Sequence, residues 1–270
     1  MQRRDRRDHA EVFVKQRPGA TPEAYVYEAQ SLAWLRQAHE EDDGCPVVWV
    51  REVGVDRVTL DYVATTTPSS RAARTFGAQL ANTHRSGADT FGRLPLDCKR
   101  AFIADLELPE GTWETFGSFY AQARVRPLTE RAHRMNAITS HESHLLDELA
   151  EALETENSAL IGPAEPIARL HGDLWSGNVL WRRNDCVLID PSAHGGHREA
   201  DLAMLVLFGL PYLDDVLDAY DEQWPLAEDY QRRIPLHQVY PLLVHAILFG
   251  GSYGAAAANA ARTALATVSP

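Results

Sequence analysis

The sequence predicts an α+β fold of two lobes, a small β-rich N-terminal lobe over residues 1–64 and a mainly helical C-terminal lobe over residues 65–270. Three observations predict it. Glu11 to Val63 read as strand, helix, strand and strand, divided by Pro, Gly and Asp turn signals. From Ser70 onward the apolar residues recur mostly at helical spacing. With 45% hydrophobic and 24% charged residues over 270 positions, the chain can bury a substantial core as one large domain or two lobes.

Each element has its own signal. Glu11 to Lys15 reads as a short strand ending in a lysine, broken by Pro18 and Gly19. Thr21 offers an N-cap and Pro22 the first helical position, and the helix runs to about His39 with Tyr25, Leu32 and Leu35 on its apolar face. Val47 to Val53 and Arg57 to Val63 alternate as antiparallel strands around a Gly54-Val55-Asp56 turn. The Thr/Ser/Pro stretch from Thr65 leads to a helix over Ser70 to His84, with Phe76, Leu80 and Ala81 on one side. Asp89 to Thr112, rich in Pro and Gly, reads as irregular. A long helix is expected over His133 to Asn157, from Leu145, Leu146, Leu149 and Leu153. The segment from Ile167 to Asp190 carries the chemistry. Helical patterns follow over Arg198 to Phe208, Leu213 to Gln223 and Leu236 to Phe249, and the chain ends in an Ala-rich tail.

A net charge of −12 disfavours nucleic acid and anionic membrane as partners and is compatible with an amine-bearing substrate. Cys45, Cys98 and Cys186, an odd and scattered set, argue against a disulfide framework and a Cys-rich zinc site. No apolar run reaches membrane-span length and no signal-peptide pattern opens the chain, so the expected location is the cytoplasm.

The run His171-Gly172-Asp173-Leu174-Trp175-Ser176-Gly177-Asn178, followed by Val187-Leu188-Ile189-Asp190, sets an Asp, an Asn and a second Asp at a strand end. A polar turn would use Gly172, Ser176, Gly177 and Asn178, but does not need Asp173, Asn178 and Asp190 at this spacing. Phosphoryl transfer does. Charge spreads over the transferring oxygens, carboxylate-held cations neutralise it, and the acceptor hydroxyl must be oriented. Protein kinases order these groups in the same way. Asp173 is therefore the candidate base, and Asn178 and Asp190 the candidate Mg²⁺ ligands. An Asp at its ordinary pKa of about 3.9 would mainly position the hydroxyl and accept its proton late.

Lys15 on the first strand and Glu28 on the following helix fit the pair that holds nucleotide phosphates; read alone they are a strand-end charge and a solvated helix residue. Leu60 to Val63 reads either as an ordinary strand end or as a crossing between lobes, where Asp61, Tyr62 and Val63 would meet adenine through main-chain groups. Asp190 precedes Pro191-Ser192 rather than Phe-Gly, so no aromatic switch or activation-loop regulation is expected. Glu199 and Asp201 read as acids in the first turn of a helix, whereas His194 and His197 either face the acceptor site or belong to the cap of that helix. Trp175 either stacks on a substrate or pins the loop to the core. His141 and His144 lack a third ligand and read as a solvated face, and the other histidines carry no functional signal.

Together with Asp190-Pro191 and Gly196-His197-Arg198-Glu199-Ala200-Asp201-Leu202-Ala203-Met204, this run resembles the fructosamine kinase (ketosamine-3-kinase) family of the aminoglycoside-phosphotransferase and protein-kinase-like superfamily. Trp175 after Asp-Leu, and the Gly-His-Arg-Glu run, separate this family from aminoglycoside phosphotransferases and choline kinases, which share the His-Gly-Asp core. The resemblance is strong from Leu170 to Phe208 and looser elsewhere. It implies a two-lobed protein-kinase-like fold, with ATP and Mg²⁺ as cofactors. It also implies phosphorylation of a ketoamine, a ribulosamine, erythrulosamine or fructosamine adduct on a free amine or a protein lysine, at the hydroxyl of the third sugar carbon. The phosphorylated adduct then decomposes and frees the amine, a deglycation repair, with bacterial members favouring ribulosamines and erythrulosamines. The alternatives are a kinase for another small hydroxyl substrate, such as an aminoglycoside or an amino alcohol, and a nucleotide-binding pseudokinase.

One departure concerns the start of the chain. The family's small lobe opens with two strands around a Gly-rich loop, whereas Met1 to Ala10 contain no glycine. Either the true start lies upstream, or this branch works without the loop at some cost in nucleotide affinity. Arg3, Arg4, Arg6 and Arg7 either substitute as phosphate contacts or form a solvated terminus.

Overall fold

Three antiparallel strands and one long helix form the N-terminal part of the structure, a computed structural model that describes residues 11–17, 19–95 and 98–267. The glycine-free stretch with Arg3, Arg4, Arg6 and Arg7, and the breaker Pro18, lie outside the described residues. Strand β1 (Val12–Lys15) is followed by α1 (Pro22–Asp42), β2 (Val50–Val53) and β3 (Val58–Asp61), with β3 central between β1 and β2. Thr21 is extended at the N-cap without a side-chain cap, and Pro22 supplies the helical φ that starts α1. Asp43, left-handed at φ 57°, ends it. The Gly54 N–H donates to the Arg57 carbonyl at 2.8 Å and closes the β2–β3 turn. Tyr25 and Leu32 of α1 bury against Val58 and Leu60 of β3, and Val187 from far along the chain joins the same cluster. That contact couples the small sheet to the elements carrying the site.

The remaining elements are α2 (Ser70–Arg85), a β4–β5 hairpin (Ala101–Ile103, Leu106–Leu108), α3 (Phe116–Tyr120), a π-helical turn (Ala121–Val125), α4 (Arg126–Arg134), α5 (Ser140–Glu154) and α6 (Ser158–Ile161). They continue with β6 (Ala168–Leu170), β7 (Val179–Trp181), β8 (Cys186–Leu188), β9 (His194–Gly196), α7 (Glu199–Phe208), α8 (Leu213–Gln223), α9 (Tyr230–Phe249) and α10 (Tyr253–Leu265). Ser69 caps α2, its side chain accepting from the Ala72 N–H. Two short ladders, β6 with β9 and β7 with β8, frame the chemical segment. Among the described residues no helix is long and apolar enough to cross a membrane.

Several elements differ from the sequence reading. The long helix expected over His133 to Asn157 is two helices, because Asn136 turns left-handed at φ 57° and Thr139 starts α5 with a capping box to Glu142. The stretch read as irregular holds the β4–β5 hairpin, turned at Ala104 with φ 49°. Helix α9 begins at Tyr230, before the expected Leu236, and the Ala-rich tail is the helix α10.

Helix α9 continues through Pro235 and Pro241, neither of which can donate a backbone hydrogen bond. A side chain repairs the break. The Tyr120 hydroxyl donates to the Leu236 carbonyl at 2.9 Å and accepts from the Tyr240 N–H at 3.1 Å, bridging two groups that an unbroken helix joins directly. Tyr120→Phe keeps the ring and leaves both backbone groups buried and unpaired, so it should cost about 1–3 kcal/mol in urea unfolding. An unchanged midpoint would show that α9 closes on its own.

Candidate active site

The His171–Asn178 loop is held by main-chain bonds to one carboxylate. Asp201, in the first turn of α7, accepts from the His171 N–H at 2.7 Å and the Gly172 N–H at 3.0 Å. His84 Nε2 donates to the same carboxylate at 3.2 Å, and the Tyr220 hydroxyl anchors His84 from its other nitrogen at 2.8 Å. Burial opposes ionisation of Asp201, yet His84 and the His171 amide hold its carboxyl below the ordinary range. Asp201 thus does more than complement the dipole of α7. Gly172 has φ +79°, and a Cβ there would lie 2.0 Å from the Ser192 carbonyl oxygen, so only glycine fits this corner.

The loop then orders itself. His171 Nε2 donates to the Ile189 carbonyl at 3.0 Å, which leaves Nδ1 to accept the Asp173 N–H at 3.3 Å. Asn178 Nδ2 donates to the Asp173 carbonyl at 2.8 Å and lies 3.3 Å from its carboxylate. The Ile189 N–H donates to the Asn178 carbonyl at 3.1 Å, setting Asp190 (φ 56°) beside the loop.

Lys15 completes the cluster from β1. Its Nζ lies 2.8 Å from Glu28 Oε2 and 2.7 Å from Asp190 Oδ1. Burial pushes the Glu28 carboxyl above its ordinary range despite the lysine. Asp173 departs from the sequence expectation of an ordinary carboxylate: burial first, then the charge of Asp190, raise it to about 7, against the opposing pull of Asn178 and Lys15. A carboxyl poised near neutrality is suited to accept a proton rather than only to position one.

Two cavities meet at these residues. One of about 280 Å³ is lined by Glu28, Asp173, Asn178 and Trp175, and a second of about 380 Å³ by Leu60, Asp61, Tyr62 and Val63; Lys15 and Asp190 line both. The Asp61 and Tyr62 N–H groups are taken by the Trp49 and Glu11 carbonyls, each at 2.9 Å, and the Asp61 side chain turns to Arg51, so Leu60, Tyr62 and Val63 serve the second cavity chiefly as wall. Trp175, 42% exposed, lies over Gly177, where a Cβ would come within 2.3 Å of the indole. Gly177 therefore gives Trp175 its place on the cavity wall.

His194 and His197, read as acceptor contacts, are not brought to this cleft. His194 sits in β9, paired with Leu170 beneath the loop, and its Nδ1 donates to the Ser192 carbonyl at 2.9 Å. His197 is buried between Phe116 and His237, with both ring centroids at 4.9 Å. Burial pushes each to about 3, so both are neutral interior rings. Glu199 is buried on Arg233. Conversely, Tyr27, Phe102, His245 and Phe249 line the first cavity, and sequence reasoning had singled out none of them. His245 stands in the apolar C-terminal half of α9, with Nδ1 donating to the Pro241 carbonyl at 2.8 Å and its ring 4.6 Å from Phe208. Nothing local sets His245 apart from His237 in the same helix, so the sequence carries no signal that singles it out.

A small sheet with a paired lysine and glutamate, set over a helical part carrying an Asp–Asn–Asp loop, defines a kinase-type phosphotransferase. Comparison with known proteins specifies it further. The fructosamine kinase family model matches residues 2–267, and the chain belongs to that family. It is 38% identical over 202 residues to a probable ketoamine kinase of Lactiplantibacillus plantarum, covering 73% of this chain and 67% of that one. The crystal structure of a candidate fructosamine-3-kinase from Thermobifida fusca superposes with a TM-score of 0.87 at 43% identity, over 96% of this chain and 87% of that one. An ADP-bound aminoglycoside phosphotransferase shares the fold alone, with a TM-score of 0.58 at 15% identity over 95% and 90% of the two chains.

The raised carboxyl of Asp173 has a thermodynamic consequence. With its folded value near 7 against an ordinary 3.8, the folded protein binds this proton more tightly than the unfolded chain. The associated stability is complete below about pH 4 and is lost as pH rises to about 7. In metal-free buffer, Asp173→Asn should therefore unfold about 2–4 kcal/mol later than wild type near pH 8 and differ little near pH 4. Equal differences at both pH values in urea melts would rule out the buried charge as the cause.

Proposed function

We propose that the chain transfers the γ-phosphoryl group of ATP to a sugar hydroxyl of a ketosamine, freeing glycated amines for repair. The observation that carries this reading is the sharing of Lys15 and Asp190 by two cavities, one floored by Asp173 and the other lined by the 60–63 stretch. In this reading the adenine occupies the second cavity against Leu60, Asp61, Tyr62 and Val63. Lys15, oriented by Glu28, holds the phosphates where the cavities join. Asp173 orients the acceptor hydroxyl and takes its proton as the oxygen attacks phosphorus. Residues 1–64 act as the nucleotide lobe and 65–270 as the lobe for the acceptor.

The donors present suit Mg²⁺. Asn178 spends its Nδ2 on Asp173, which leaves its amide oxygen available, and Asp190 adds a carboxylate, an oxygen-only set fitting a hard cation. When bound, Mg²⁺ would supply charge neutralisation on the phosphate oxygens. Trp175, His245 and Phe249 present flat apolar faces that suit the C–H faces of a sugar, and the net charge of −12 favours a cationic carrier amine, free or on a protein lysine.

ATP consumption with ribulosamine-lysine and fructosamine-lysine peptides tests the reading. Wild type should turn over at least one of them, and Asp173→Asn should lose roughly 10²–10⁴-fold in kcat. Folded, nucleotide-binding protein inert toward both peptides would sink the ketosamine assignment. Lys15→Met should raise the KM for ATP more than that for the peptide, since phosphate contacts reside there. An unchanged KM for ATP would remove Lys15 from the nucleotide site.

A further inference from the structure

We propose that a cavity behind the loop, between the π-helical turn and α9, binds a monatomic anion of the chloride class through Arg124 and Tyr240. The inference is independent of the substrate assignment. The cavity, about 20 Å³, is lined by Arg124, Tyr240, Phe119, His194 and Gly172, among others, and shares no lining residue with the cleft around Asp173.

Pro127, in the first turn of α4, has no N–H for the Ala123 carbonyl one turn back. The Arg126 N–H instead reaches the Ala121 carbonyl, five residues back, and the turn becomes π-helical, a local form that recurs at functional sites. Arg124 Nη1 donates to the vacated Ala123 carbonyl at 3.1 Å. That bond draws the guanidinium inside, where Arg124 is 3% exposed and its Nε has no hydrogen-bond partner among the described residues.

Among the described residues, no carboxylate forms an ion pair with Arg124. Its guanidinium lies 4.7 Å from the Phe119 ring centre and 5.2 Å from that of Tyr240, contacts that favour the cation without neutralising it. The Tyr240 hydroxyl, also buried on this cavity, has no partner either. A desolvated cation and an orphaned hydroxyl donor facing one small space call for an anionic acceptor. Asp201 lines the cavity too, but its oxygens are engaged by His171, Gly172 and His84. A cation is disfavoured here. The neighbouring metal-type set His197, Glu199 and His237 has both Glu199 oxygens on Arg233, which a metal would have to displace. The volume suits one water-sized occupant, and so a monatomic anion rather than phosphate, sulfate or a carboxylate.

The test compares thermal unfolding of the full chain in sodium chloride, sodium bromide and sodium gluconate at equal ionic strength. A saturable rise in Tm with chloride and bromide, but not with the larger gluconate, is expected. Tyr240→Phe should weaken the apparent halide affinity roughly tenfold, and Arg124→Met should abolish the halide-specific rise. Should Arg124→Met fail to fold, Tyr240→Phe and a bromide-soaked crystal decide, the expected anomalous peak lying between Arg124 Nε and Tyr240 Oη. Identical Tm values in the three salts, a rise unaltered in Tyr240→Phe, or density at that position without anomalous signal would overturn the proposal in favour of a buried water.

Discussion

The Asp201 carboxylate is the constraint on which the rest of the site depends. Two consecutive amides, of His171 and Gly172, point at it, and His84 supports it from α2. An acid this deeply buried stays ionised only because donors surround it, so removing any of them would leave a charge or an amide unsatisfied. With the corner fixed, the His171 ring is oriented, its Nδ1 receives the Asp173 N–H, and Asn178 closes the loop back on Asp173. Helices α2 and α7, which carry none of the reacting groups, thereby determine where those groups stand.

Lys15 does the corresponding work from the other side. Its Nζ bridges Glu28 and Asp190, joining β1, α1 and the end of the β8 segment at a single point, with Arg17 standing 3.9 Å from Glu28. Its charge does not fully offset burial, since Glu28 and Asp173 both sit above their ordinary ranges. The cluster is electrostatically loaded, with three carboxylates set against Lys15 and the more distant Arg17. Such loading costs stability and is a common property of sites built to receive a further positive charge.

Much of this was legible in one dimension where the signal is local. The lysine at the end of a short strand, Pro22 at the start of α1, the 54–56 turn and the ordered Asp173, Asn178 and Asp190 are each defined by neighbours a few residues away. The misses have an equally definite cause. The leucines after His133 mark one apolar stripe, but the break at Asn136 and the Thr139–Glu142 box are punctuation within a pattern that period counting reads as continuous. His194 and His197 follow the motif closely in sequence, but proximity along the chain is not proximity in space: β9 pairing turns His194 into the interior, and His197 packs between Phe116 and His237. His245 gave the opposite error, remote in sequence and set on the cleft wall by the packing of α9.

By itself, the sequence determined the chemistry: which acids and amides are present, their order, and the family whose motif they match. Local rules of capping, turn formation and charge type operate over a few residues and survive without the fold. Only the tertiary structure decided the electrostatics and the walls, namely that Asp173 is poised near neutrality, that Asp201 anchors the loop rather than merely capping a helix, and that Arg124 lies buried with no carboxylate ion pair among the described residues. These depend on desolvation and on contacts between residues tens to hundreds of positions apart, which no local pattern encodes.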